Sequence, residues 1–377
     1  MGARACVFLA LLAPLASSSF AAEDAAAPEA RPATEGEAAA APEPVLTAYL
    51  DAAYGYLSGD GYFTSGLADR VFDMRKDAFT LQQASVNAAY QPKQGFGGVV
   101  NVTAGDTAQV IRAYGAPVQD SKFDLTQAYA QYATSGFTVM AGRFVSLAGA
   151  EVIASPADTN YSRSILFGYA EPFTHTGLRG SYARDDLLTV YLGVNNGWDD
   201  FKDTTAGKTL EAGVAVTPSK TVSIAASGYF GPERSGGLVN VGSQGQRSLV
   251  DIAATWAPTE QLTLVANCDW GRQENALFGN TSSHATWTGF AGYVNYVFNG
   301  HWRSSVRAEY FDDPQGYRTG VPQTWRELTA TIAYLPLKRI ELRFEVRVDA
   351  SDTTAFSASS HPARDQESAA VEALFKY

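Results

Sequence analysis

Charge is scarce in this chain. Asp, Glu, Lys and Arg make up only 18% of its residues, against roughly 25% in an ordinary soluble domain. A basic surplus is lacking too: the net charge is −11, whereas a nucleic-acid binder needs a positive field. No apolar run reaches the ~20 residues that cross a bilayer as a helix, and the longest, residues 5–16, falls short. Cysteine is nearly absent, with 2 in 377 residues. One of them, Cys6, lies in the leading apolar stretch, so no disulfide framework is expected. The four histidines (His175, His284, His301 and His361) share no spacing. No Cys/His cluster has zinc-ligand spacing, and no Gly-rich loop opens a helix to cradle phosphate. Catalytic groups, cofactors and a dedicated metal site are therefore not expected. Asp199, Asp200 and Asp203, and the Asp312-Asp313 pair, are the acidic clusters; they could bind calcium weakly, but the ordinary role of such clusters is to be solvated. What the chain does have is glycine (34), tyrosine (19) and phenylalanine (20), a composition that points to β-structure.

The first residues indicate export. Arg4 precedes an apolar core at 6–16, and Ser19 and Ala21 stand at −3 and −1 of a cleavage point after residue 21, as a secretory signal requires. Residues 22–44 are almost wholly Ala, Pro, Glu and Gly, with Glu23, Asp24, Glu29, Glu35, Glu37 and Glu43 against Arg31. Such a segment cannot bury a core and reads as a disordered acidic tail. The expected organisation is thus a signal peptide at 1–21, a tail at 22–44 and one domain at 45–377.

Within that domain the apolar residues recur at every second position. In 339–349, Arg339, Glu341, Arg343, Glu345, Arg347 and Asp349 alternate with Ile340, Leu342, Phe344, Val346 and Val348. Successive side chains of a strand point to opposite faces, so one face is wholly charged and the other wholly apolar. About sixteen such blocks (fourteen to eighteen) begin near residues 45, 79, 95, 122, 136, 175, 186, 208, 220, 246, 260, 285, 301, 324, 339 and 367. Their connections alternate between short turns (91–95, 134–136, 184–185, 218–219, 258–260, 299–300, 336–338) and long Gly-rich polar segments (58–78, 104–121, 146–173, 231–245, 350–365). A sandwich gives no reason for that regularity. An all-β, up-and-down, antiparallel transmembrane barrel does, with short periplasmic turns, long extracellular loops and, for an even strand count, both termini periplasmic. Aromatics at block ends (Tyr90, Phe96, Tyr132, Phe137, Trp256, Trp270, Phe298, Trp302, Tyr334) are placed as interfacial girdles. The chain ends inside its last strand, with Val371, Ala373, Phe375 and Tyr377 on the apolar face, the form that the outer-membrane assembly machinery reads.

One region carries a more specific signature. Gly142-Arg143-Phe144, Gly149 and Glu151 lead into Ser162-Arg163-Ser164, then Pro172-Phe173-Thr174-His175-Thr176-Gly177, and Asn196-Gly197-Trp198 follows one hairpin later. This run resembles the OmpL-like outer-membrane β-barrel porin 2 family, with Arg143 where Lys is more usual and Ala150 at a position that is often aromatic. The resemblance implies a passive pore, with Gly142, Phe144, Ser162, Ser164, Pro172, Phe173, His175 and Gly177 as family-motif positions.

The residues themselves give the 146–173 segment a special place. It is the longest connection, and Val152, Ile153, Tyr161, Ile165, Leu166, Phe167, Tyr169 and Phe173 need burial. Long loops of this kind are usually functional, and the barrel interior can take these side chains; the alternative is a loop folded over the rim as a lid or a trimer contact. The expectation is a water-filled channel for small hydrophilic solutes or ions, narrowed by this segment through Glu151, Asp158, Arg163 and Glu171. Period-two projection lines the pore with Arg143, Arg303, Arg307, Glu341, Arg343, Glu345 and Arg347, which either set a basic wall against the acidic rim of the segment or pair with glutamates on neighbouring strands and leave a nearly neutral lumen. A non-conducting structural or adhesive barrel is the alternative, and an outer-membrane phospholipase using His175 is the enzyme alternative. Expected partners are outer-membrane lipid and the assembly machinery through Tyr377. A homotrimer is expected by analogy with sixteen-stranded porins.

Overall fold

The computed structural model describes residues 43–58, 70–72, 75–116, 122–234, 243–276, 283–358 and 361–377. The expected signal peptide and nearly all of the acidic tail lie outside these residues. Strands form where apolar and polar residues alternate. They are β1 (Val45–Leu57), β2 (Ala78–Tyr90) and β3 (Gly95–Ala104), the short helix α1 (Asp106–Ile111), then β4 (Phe123–Thr134), β5 (Phe137–Val145) and β6 (Thr174–Arg184). There follow β7 (Leu188–Asn195), β8 (Thr209–Ser219), β9 (Val222–Arg234), β10 (Gln244–Trp256), β11 (Leu262–Glu274) and β12 (His284–Asn299). The last are β13 (Trp302–Asp313), β14 (Gln323–Leu337), β15 (Ile340–Ser351), β16 (Phe356–Ala358), β17 (His361–Ala363) and β18 (Asp365–Lys376).

Sixteen of these strands, all but β16 and β17, pair antiparallel with their chain neighbours into a closed barrel. The ring is sealed by β18, which lies between β15 and β1. The final residue completes the seam: Tyr377 N donates to Ala48 O at 2.8 Å and Ala48 N to Tyr377 O at 3.3 Å. Closure leaves no strand edge unpaired, which a lipid environment requires because it offers backbone groups no other partner.

Burial runs opposite to that of a water-soluble protein. Along β15, Arg343 and Asp349 are 0% exposed and Glu345 5%, whereas Val346 is 59% exposed and Phe344 45%. Charge inside and hydrocarbon outside make sense only if the outer face meets lipid. Cys268, on β11, is among the outward-facing exposed residues. At the short-turn end, Phe96 packs against Tyr132 with ring centroids 4.9 Å apart, Phe137 against Tyr182 at 4.4 Å and Trp302 against Tyr334 at 4.7 Å, forming an aromatic belt. The β4–β5 turn is tight because Ser135 and Gly136 both take positive φ (47° and 83°), as a two-residue hairpin demands.

Alternation in the sequence did not reveal three small features within the long connections. Helix α1 buries Ile111. The β16–β17 hairpin tucks Phe356 edge-on against Trp325 at 5.5 Å. A one-turn π-helix, 166–170, lies within 146–173 with all five residues buried.

Candidate functional site

The 146–173 segment joins β5 to β6 and is closed at its root by Ser146 N donating to Phe173 O (3.0 Å). Beyond that root its partners are on the far side of the barrel. In the ring order, β13 and β14 stand half-way round from β5 and β6, and it is to this wall that the segment is tied. Arg307 of β13 donates through Nη1 to Glu151 Oε1 (2.8 Å) and Ser162 O (2.7 Å), and through Nη2 to Ser162 Oγ (2.9 Å). Arg343 of β15 donates to Asn160 O (3.1 Å), Ser155 O (3.2 Å) and Asp158 O (2.7 Å). Arg347 donates to Arg163 O (2.8 Å).

Carboxylates of the same wall hold the segment's N–H groups. Glu345 accepts from Tyr161 N and Ser162 N (2.8 and 3.0 Å), and Glu309 from Ile165 N and Leu166 N (2.9 and 3.2 Å). Further round, Gln83 of β2 donates to Ile153 O (2.6 Å), and Trp287 of β12 donates its indole N–H to Ala170 O (3.1 Å). The apolar residues of the segment fill the interior in two clusters. Ile165, Leu166 and Tyr169 pack with Trp198, Trp287, Phe311 and Trp325, and Ile153, Phe167 and Phe173 pack with Phe72 and Ile111.

Within the segment, Asp158 accepts from Val152 N (3.0 Å) and pairs with Arg163 (3.1 Å). Burial nevertheless raises its carboxyl to about 7, outweighing the attraction of Arg163. Glu151 lies against Arg307 rather than across a gap from it, so the picture of an acidic rim facing a basic wall is replaced by direct contact. The reason is desolvation: charges this deeply buried are satisfied by pairing and hydrogen bonding. The arginines are also matched along the wall, Arg307 with Glu309 (3.3 Å) and Glu327 (3.1 Å), Arg343 with Glu341 (2.7 Å) and Glu372 (3.0 Å), and Arg347 with Asp349 (2.8 Å). Arg303, nearer the short-turn end, pairs with Glu341.

Two of the residues singled out from sequence lie away from this cluster. Arg143 is fixed at the root of the segment by Asp124 (2.9 Å), Leu125 O (2.8 Å) and Ile111 O (3.2 Å). Glu171 sits instead beside Asp251 of β10 and Asp269 of β11. Burial first, then those two carboxylates, push the Glu171 carboxyl well above its ordinary range.

The motif positions brace that same root. Gly142 (φ 134°) and Gly177 let neighbouring backbone approach so closely that a Cβ would fall 2.2 Å from Ala128 O or Val194 O. Phe144 lies under the Arg179 guanidinium at 4.2 Å. His175 donates through Nδ1 to Gly197 O (3.0 Å) and stacks on Tyr229 at 4.9 Å. Asp199 accepts from Phe173 N (2.9 Å) and Thr174 N (2.8 Å), with its own carboxyl raised to about 6 by burial. Asp313 likewise receives the N–H groups of Tyr317, Arg318 and Thr319. These acids therefore organise backbone. Ser164 Oγ accepts from Phe167 N (2.9 Å), opening the π-helical turn, and Pro172 is buried beside Phe173.

Sequence reasoning did not single out Gln83, Trp287, Asp251, Asp269 or Glu372. Period two places the three acids on inward faces, but nothing in one strand's pattern says which distant residues they meet.

The inward-facing Tyr129 of β4 and Tyr191 of β7 keep partial exposure. A closed antiparallel barrel with a lipid-compatible exterior, a polar interior and a long segment crossing it is the porin type of outer-membrane channel fold. The chain belongs to the family described as "Putative beta-barrel porin-2, OmpL-like", whose model matches residues 45–377. Solved structures share the fold at low identity. The outer membrane channel DcaP of Acinetobacter baumannii is 12% identical with a TM-score of 0.62, over 91% of this chain and 99% of that one. An anion-selective porin from Comamonas acidovorans is 10% identical with a TM-score of 0.61, over 89% and 99%. OmpT of Vibrio cholerae, in its trimer form, is 11% identical with a TM-score of 0.61, over 90% and 100%. No curated protein matches the chain by sequence.

Proposed function

We propose that this protein is a passive diffusion channel for small hydrophilic solutes or ions, narrowed by the 146–173 segment. The observation that carries the reading is the span of that segment from its root at β5 and β6 to Arg307, Arg343 and Arg347 on the opposite wall. In this reading the strap divides the lumen and solutes pass on the side of Tyr129 and Tyr191, which are partly exposed. Side chains alone do not fill a barrel of sixteen strands. The setting of His175, bonded to a backbone carbonyl and stacked on a tyrosine, favours a structural role over that of a catalytic base.

Reconstituted in a planar bilayer in asymmetric KCl, the protein is expected to give discrete conductance steps, and deletion of 152–165 to enlarge them. A folded barrel giving no steps would instead be a structural or adhesive protein.

In this reading, 1–21 is a signal peptide and 22–44 a periplasmic tail. Tyr377 at the seam is what the assembly machinery engages, and three barrels associate as in the trimer form of the Vibrio cholerae protein. Both termini are periplasmic. A tag in 231–245 is therefore expected to be labelled on intact cells and a tag in 22–44 only after permeabilisation; labelling of the tail on intact cells rules the orientation out.

A further inference from the structure

We propose that Glu171, Asp251 and Asp269 bind one hard divalent cation of the calcium class, which clamps the end of the 146–173 segment to β10 and β11. Asp251 and Asp269 are directly opposed partners across the β10–β11 ladder, an arrangement in which like charges repel. Glu171 descends from the segment onto this pair, and one carboxylate oxygen from each residue lies within 4.8 Å of the others. All three are buried, Asp251 at 0% exposure and the other two at 2%.

Their partners are what set them apart. Asp251 Oδ2 accepts from Asn267 Nδ2 (2.5 Å). Both oxygens of Glu171 and both of Asp269 have no hydrogen-bond donor among the described residues. The acids that hold the rest of the segment are met by arginine or by backbone N–H: Glu151 by Arg307, Glu309 by Arg307 and two amides, Glu345 by two amides. Buried charges left without a partner are costly enough that they ordinarily pair or coordinate a metal.

The donor set is all oxygen, which selects hard cations over the soft metals that favour thiolate or imidazole. Three carboxylates arriving from three separate elements suit the loose, many-oxygen shell of calcium better than the strict octahedron of magnesium. Gly149 keeps the space open. It holds φ 96°, and a Cβ there would lie 2.1 Å from Glu171 Oε2, so the two ends of the 146–173 segment meet at this point.

The test is binding by the refolded full-length barrel in detergent after chelator treatment, which is read whether or not the barrel conducts. Calcium is followed by equilibrium dialysis, and terbium by luminescence sensitised through Trp287, whose indole holds Ala170 beside Glu171. The expected result is one ion per chain, with calcium displacing terbium. Glu171→Gln and Asp269→Asn should each weaken binding by at least about 100-fold, more than the roughly 10–100-fold typical of outer-shell losses. Glu367→Gln, at an exposed acid on β18, should leave it unchanged. Glu171→Gln changes only a connection, so it remains informative if the strand variant fails to refold. A folded wild-type barrel that takes up no stoichiometric calcium overturns the proposal and leaves the trio to share protons. Binding that survives in Glu171→Gln overturns it as well.

Discussion

Replacing Arg307 by alanine is expected to cost roughly 3–5 kcal/mol, because removing one partner of a buried ion pair leaves the other charge uncompensated. Arg307 is 0% exposed and faces Glu151, Glu309 and Glu327 at 2.8, 3.3 and 3.1 Å. Its loss would take the nearest positive charge from three carboxylates and also cut the bonds to Ser162 O and Oγ. Two readouts follow. Urea unfolding in lipid vesicles should register the lost stability, and single-channel recording should show a larger conductance as the strap leaves β13. The reversal potential should move toward cation preference, since a positive charge is lost and the acids remain. Arg307→Lys should recover only part of this, because an ammonium has three donors and cannot reproduce the planar fork. Unchanged stability and conductance in Arg307→Ala would mean that the segment is held elsewhere and that the strap reading fails.

Val346→Arg is expected to destabilise the barrel by about 2–4 kcal/mol, the penalty for arginine on the lipid face near the bilayer midplane. Val346 stands mid-way along β15, 59% exposed, between Ala330 of β14 and Ala369 of β18. These small neighbours offer an arginine no polar partner. Its chain neighbour on the inner face responds differently. Glu345→Gln keeps the shape but leaves one acceptor oxygen for the amides of Tyr161 and Ser162 and for the Thr331 hydroxyl. That change should loosen the strap and alter conductance with little effect on barrel unfolding. The pair of variants thus separates the two faces of one strand, vesicle unfolding responding to position 346 and channel noise to position 345. Equal loss of barrel stability in both would reverse the assignment of inside and outside.

The motif around residues 142–177 shows how a signature can be legible while its purpose is not. Gly142, Phe144, His175 and Gly177 stand out in the sequence, and in the structure they are packing positions. The glycines admit backbone, Phe144 supports Arg179, and His175 is fixed between Gly197 and Tyr229. The wall is the reverse case. Arg343 and Arg347 were legible as inward residues from period two alone, yet their role as donors to the carbonyls of Ser155, Asp158, Asn160 and Arg163 depends on chain more than 180 residues away. Of the two arrangements that period two left open, the arginines are found paired, with wall acids and with Glu151 of the segment, because low-dielectric surroundings make an unpaired charge expensive.

By itself the sequence determined the barrel: about sixteen strands, the inner and outer faces, and the alternation of short and long connections. These follow from period two and from turn residues, which act between near neighbours and need no knowledge of the rest of the chain; the family came from the resemblance of the motifs between residues 142 and 198. Tertiary structure alone decided where the 146–173 segment goes, which acids meet which arginines and that Glu171, Asp251 and Asp269 converge. Those facts depend on ring closure, which brings residues from opposite ends of the chain within hydrogen-bonding distance, and no local pattern encodes a distance across the lumen.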